Sequence, residues 1–171
     1  MSLKSLYDDG ITIYRVLSVR DDSVLVIDCM KRTMPVWLPR EKLSEWREIE
    51  EQALHEKTGI CPVTEDTLSK NALASAHKRY SIIAPVVAVV ADKNRRSEMI
   101  AFVEKNNKIS KQTIRKYLCL YLAYQSINVL VPIESNDEKP LSLTQKNMRW
   151  ALNKFFTLVD KTTCGQHICS Y

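Results

Sequence analysis

The chain has 171 residues, 45% hydrophobic and 26% charged, with a formal net charge of +5, which is ordinary globular composition and not that of a disordered or fibrous protein. Its three Gly and six Pro form no GxGxxG or Walker-type phosphate loop, no apolar run approaches the roughly 20 residues of a membrane span, and the start, MSLKSLYDDGITIYR, lacks a signal-peptide core. Five scattered cysteines, Cys29, Cys61, Cys119, Cys164 and Cys169, are an odd set that points to reduced thiols in a bacterial cytoplasm.

Residues 11–38 read as strands. Ile11 to Val19 alternates imperfectly, Val24 to Met30 is apolar and β-branched, and Met34 to Leu38 is a third short run, with Asp21-Asp22-Ser23 turning the first into the second. Three short strands bury little alone, so the next element must cover them. That element is expected to be one helix after Pro39 through about Leu54, with Leu43, Trp46, Ile49 or Glu50, and Ala53 inward and Glu41, Glu45, Glu48 and Glu51 outward. An acidic outer face is repelled by phosphate, so the first module reads as a packing or protein-contact unit. Lys31, Arg32 and Arg40 remain able to touch a nucleic-acid backbone.

KTGICPVTED, residues 57–66, reads as a linker. A helix then begins near Thr67, with Leu68, Ala72, Leu73, Ala76, Tyr80 and Ile83 on one face, and Pro85 is expected to end or kink it. The following VVAVV suits the core. Asn94 is placed as the cap of the next helix, and a turn at Asn106 to Ile109 leads to a further helix opened by Ser110, whose hydroxyl can take an orphan amide. Ile114, Tyr117, Leu118 and Tyr121 make its apolar face, while Gln112, Arg115, Lys116 and Cys119 fall opposite. The stripe Tyr117, Tyr121, Tyr124 has helical spacing and reads as packing, not as a base-stacking platform.

Two helices across a tight turn, the second with one greasy and one basic face, is how a helix-turn-helix presents its recognition helix. A plain helical hairpin with a solvated face has the same pattern, and charge distribution separates the two. Residues 92–117 carry eight cations (Lys93, Arg95, Arg96, Lys105, Lys108, Lys111, Arg115, Lys116) against three carboxylates, a net of +5 equal to that of the whole chain. Clustering on one motif is the footprint of a polyanion partner.

Beyond Tyr124, NVLVPIESNDEKP reads as a second linker. Ser142 with Gln145 fits a capping box that opens a helix through about Phe156, expected to be the start of a third module whose remainder is missing. The fold class expected is α+β: a β-rich module with an acidic helix (1–57), a three-helix helix-turn-helix domain (66–126) and the start of a further helical module (140–171). Cys164, His167 and Cys169 crowd within six residues with no second ligand pair, so no metal site is expected there. His55 and His77 lack catalytic companions and read as ordinary helix residues.

The order YDDGITIYRVLSVRDDSVLVIDCM, KRYSIIAPVV, ISKQTIRKYLCLYL and NVLVP resembles the N-terminal DNA-binding region of TnsB-type transposases of the Mu-like, retroviral-integrase superfamily. The likeness is loose over residues 7–40 and closer over 78–133. It implies that RYSIIAPVV opens the first helix-turn-helix, that SKQTIRKYLCLYL is its recognition helix, and that the helix opening SLTQKNMRWALNKFF leads into a further DNA-binding module. It departs where the family has a basic pair with a glycine after the recognition helix; Leu120, Gln125 and Ser126 stand there instead. The family's strand transfer uses three carboxylates and two divalent metals in an RNase H-like domain. No carboxylate set in this chain follows that pattern, so the chain by itself is expected to be inactive and to need no cofactor.

The partner this reading implies is double-stranded DNA at transposon ends, with other transposition proteins as further candidates. Gln112, Arg115 and Lys116 are expected to read bases. Lys93, Arg95, Arg96 and Lys108 are expected to hold phosphates, joined at the helix start by Ser110, Lys111 and Thr113. Two alternatives remain open: a stand-alone helix-turn-helix regulator, and a protein-interaction module of a transposition system.

Overall fold

The computed structural model describes residues 3–64, 66 and 68–132. The protein is α+β, an antiparallel sheet followed by helices. Strands β1 (Leu6–Asp8), β2 (Ile13–Val19), β3 (Ser23–Asp28), β4 (Val36–Pro39) and β5 (Arg47–Ile49) stand in the order β4-β3-β2-β1-β5. The helices are α1 (Arg40–Ser44), α2 (Glu51–Thr58), α3 (Lys70–Ala88), α4 (Lys93–Asn107) and α5 (Lys111–Tyr124), with a 3-10 turn at Ile127–Leu130. The capping box at Ser142, its helix, and the Cys164, His167, Cys169 tail lie outside the described residues.

The β1–β2 hairpin turns on side-chain chemistry. Asp8 Oδ1 accepts from Gly10 N, and Asp9 Oδ1 accepts from Ile11 N and Thr12 N. Gly10 sits at φ 91°, where an L side chain would be strained. Pleating then sorts β2 and β3 onto two faces. Ile13, Ile27 and Cys29 face the helices, whereas Val16, Val24 and Val26 face away and pack with Tyr7 and Leu43. Tyr14 and Trp46 stack on that outer face with ring centroids 4.7 Å apart.

The single helix expected over residues 40–54 is instead α1, β5 and α2. Leu43 packs on the outer face of the sheet and Leu54 on the inner face, which one short continuous helix cannot do. The chain breaks after Ser44 and returns as β5, pairing Leu6 with Ile49 and Asp8 with Arg47, so that the β1 edge is covered. The acidic stripe is therefore dispersed over α1, β5 and α2. Gly59, left-handed at φ 66°, closes α2 through its N–H to His55 O.

Residues from both expected modules, 1–57 and 66–126, contribute to one core. Residues 1–132 form one compact unit, and one buried cluster runs from Leu6, Ile13, Ile27 and Leu54 through Ala76, Ile83, Ile100, Ile114 and Leu118 to Leu130. The seam is reinforced by Arg15, which is fully buried on β2. Its Nε donates to Ala123 O at the end of α5, Nη1 donates to Lys4 O at 3.0 Å, and the guanidinium forks onto Glu51 at 2.5 and 2.6 Å. A fixed cation thus meets an orphan carbonyl, that of Ala123, at the C-terminus of α5. Trp37 makes a second tie, Nε1 donating to Ala91 O at 3.0 Å, with Arg20 over its ring.

Pro85 does not end α3; the helix runs on to Ala88 because Ile83 and Val86 on either side of it are both fully buried. The NVLVP segment is no linker as far as Pro132: Leu130 is buried, its carbonyl accepts from Arg79 Nη1, and Asn128 Nδ2 reaches Val63 O.

Burial makes two of the cysteines inert. It pushes the Cys29 thiol up to about 12 and that of Cys119 to about 11. Thiolate is the reactive form, and near pH 8 it is a fraction on the order of one in a thousand or less. Folded protein treated with iodoacetamide at that pH is expected to label the exposed Cys61 and spare Cys29 and Cys119 until denatured. Peptide mass mapping reads this, and equal labelling before and after denaturation would refute the burial. The sign for stability follows: both thiols favour the neutral folded form, and that contribution is lost as pH rises above the ordinary thiol value near 9 toward 11 and 12.

Candidate nucleic-acid interface

Helices α3, α4 and α5 form a trihelical unit in which Lys108, Ile109 and Ser110 make a three-residue turn between the last two. Lys108 takes the left-handed conformation at φ 53° that ends α4. Ser110 caps α5 as its sequence requires, its Oγ accepting from Thr113 N at 3.2 Å. The cap of α4 is Asp92, not Asn94: its carboxylate accepts from Asn94 N at 2.9 Å and Arg95 N at 3.1 Å. Those bonds, Arg95 first, hold its carboxyl below the usual range.

The inward face of α5 carries Ile114 and Leu118, both fully buried, with Tyr117 and Tyr121 packed at its margin. Tyr121 leans on Tyr80 with centroids 4.9 Å apart, and Arg79 lies over Tyr117. Tyr124 is 4% exposed. The tyrosine stripe is packing.

Gln112, Arg115 and Lys116 are exposed together on the N-terminal half of α5. Cys119, expected on that open face, is instead buried, with Sγ 3.6 Å from Met34 Sδ. The loop between β3 and β4 therefore roofs the C-terminal half of this face and leaves the first two turns open. Between that loop and α5 runs a groove of about 450 Å³ lined by Lys31, Arg32, Thr33, Met34, Gln112, Arg115, Lys116 and Cys119.

Of the residues expected to hold phosphate, Lys93, Arg95 and Lys108 are exposed, Arg95 with Asp92 at 3.8 Å. Lys111 is exposed but shares Glu104 at 3.5 Å. Ser110 and Thr113 lie with their hydroxyls 3.0 Å apart, which uses one hydroxyl proton and leaves the other to donate outward. Arg96 departs from the expectation. It is 7% exposed and its Nη1 donates to Val90 O at 2.8 Å, so it closes the α3–α4 corner instead of facing solvent. Arg96, Ile100 and Val103, the inward stripe of α4, recur at helical spacing, and that was the available signal.

The sequence marks Lys31 and Arg32 as cations able to touch a nucleic-acid backbone; their place beside α5 is tertiary. His77 is exposed, and His55 is half-buried with its ring stacked on Tyr124 at 6.2 Å. Among the described residues no three His, Cys, Asp or Glu side chains gather to hold a metal, and no helix is long and apolar enough to cross a membrane. No protein-family model matches the chain and no curated protein matches it.

Proposed function

We propose that the protein binds duplex DNA by placing the N-terminal half of α5 in the major groove. The observation that carries this reading is the joint exposure of Gln112, Arg115 and Lys116 on a helix whose opposite face is buried, across a three-residue turn from α4. The first turns of a recognition helix are the part that reaches base edges. Gln pairs bidentately with adenine, and Arg or Lys with guanine, each contact worth about 1–3 kcal/mol of discrimination. Lys93, Arg95 and Lys108 flank that helix as phosphate contacts that fix register.

The finer proposal is that the DNA is a transposon end. It is supported by the likeness of KRYSIIAPVV, ISKQTIRKYLCLYL and NVLVP to the transposase segments described above. Selection from a random duplex pool tests both levels. Gln112→Ala or Arg115→Ala is expected to relax preference at one or two base pairs, while Lys108→Ala weakens all sequences alike and flattens the salt dependence by about one unit. Preferences unmoved by Gln112→Ala, Arg115→Ala and Lys116→Ala would put the wrong face of α5 in the groove. A selected site repeated near both ends of one mobile element supports end recognition; a lone palindrome favours a stand-alone regulator.

A further inference from the structure

The groove beside α5 has an electrostatic character that the helix-turn-helix alone does not explain. Its walls bring Lys31 and Arg32 of the β3–β4 loop to the same space as Arg115 and Lys116 of α5, and no carboxylate among the described residues lines it. Four like charges around one cleft repel each other, and a cleft lined with one sign of charge concentrates counter-ions of the other. The loop is held where it is. Asp28 Oδ1 accepts from Met30 N and Lys31 N at 2.9 and 2.8 Å, and Arg32 N donates to Asp28 O at 2.9 Å. The far side of the loop is anchored as Met34 meets Cys119.

We infer that Lys31 and Arg32 form a second phosphate-binding wall, so that one strand of the duplex read by α5 passes along the groove between α5 and the β3–β4 loop. This rests on the reading of α5 given above and extends it to the sheet. The N-terminal sheet is then part of the DNA-binding surface and not a separate packing module. Lys31 and Arg32 fix the depth and angle of α5 in the major groove without reading sequence, as backbone contacts do.

The test is a salt titration of a labelled mixed-sequence duplex of about 30 base pairs by fluorescence anisotropy. Three proteins are compared: the full chain, Lys31→Gln with Arg32→Gln, and Lys42→Gln with Arg47→Gln, a control that removes the same charge from exposed positions on α1 and β5. Matching thermal unfolding curves establish that the variants are folded. Each phosphate contact contributes about 0.9 to the log–log slope, so the loop variant is expected to lose close to two units with base preference intact, and the control close to none. If the full chain binds but the loop variant keeps its slope, or the control loses as much, the inference fails while the reading of α5 stands. If the full chain does not bind at low salt, both fail.

Discussion

Replacing Leu118 by Ala is expected to lower stability by roughly 2–5 kcal/mol, the range for a large-to-small change at a fully buried leucine. Leu118 is 0% exposed, and its cluster joins α3, α4 and α5 to the inner face of the sheet. The cavity it leaves lies within one continuous buried core, with little freedom to collapse. In a domain of this size such a loss moves the thermal midpoint by on the order of 10 °C. The form of the transition carries a second expectation. Because sheet and helices share that core and are tied by Arg15 to Ala123 and Glu51, the described unit is expected to unfold in a single step whose midpoint falls in the variant. An unchanged midpoint would remove Leu118 from the core, and a sheet that melts separately from the helices would contradict the shared core.

The parts of this fold legible in the sequence were those governed by local rules. Ser110 capping α5, the apolar spacing of Ile114 and Leu118, and the three-helix order all follow from periodicity and capping, which act within a few residues. What escaped was decided by long-range partners. Arg47–Ile49 is compatible with a helix and becomes β5 because β1 offers it an edge. Arg96 looks like a surface cation until the corner at Val90 supplies its acceptor, while Phe102 on the same helix is 60% exposed, so hydrophobicity alone misjudges which way α4 faces. Pro85 reads as a stop or a kink, and it is no stop because the buried residues on either side hold α3 together through it. The candidate site divides the same way. Gln112, Arg115 and Lys116 were visible as one face of one helix, whereas the roof over Cys119 and the wall made by Lys31 and Arg32 exist because the sheet folds back on α5.

The second large expected effect is a steep salt dependence of the proposed DNA binding. After Arg96 is withdrawn into the core, Lys93, Arg95, Lys105, Lys108, Lys111, Arg115 and Lys116 remain exposed on α4, the turn and α5, with Arg95 and Lys111 partly engaged by Asp92 and Glu104. About five phosphate contacts from this set give a log–log slope near −4 to −5, which between 50 and 200 mM salt is roughly a 500-fold loss of affinity. Engagement of Lys31 and Arg32, as inferred above, is expected to make it steeper by about two units. A helical hairpin whose basic face is merely solvated and does not engage DNA releases none of the duplex's condensed counter-ions and shows no such dependence. Titration of the full chain with labelled duplex across that salt range is the most direct measurement of the central claim. A steep linear fall with a slope of −4 or beyond is the result this account predicts; a flat dependence, or no binding at the lowest salt, would contradict it.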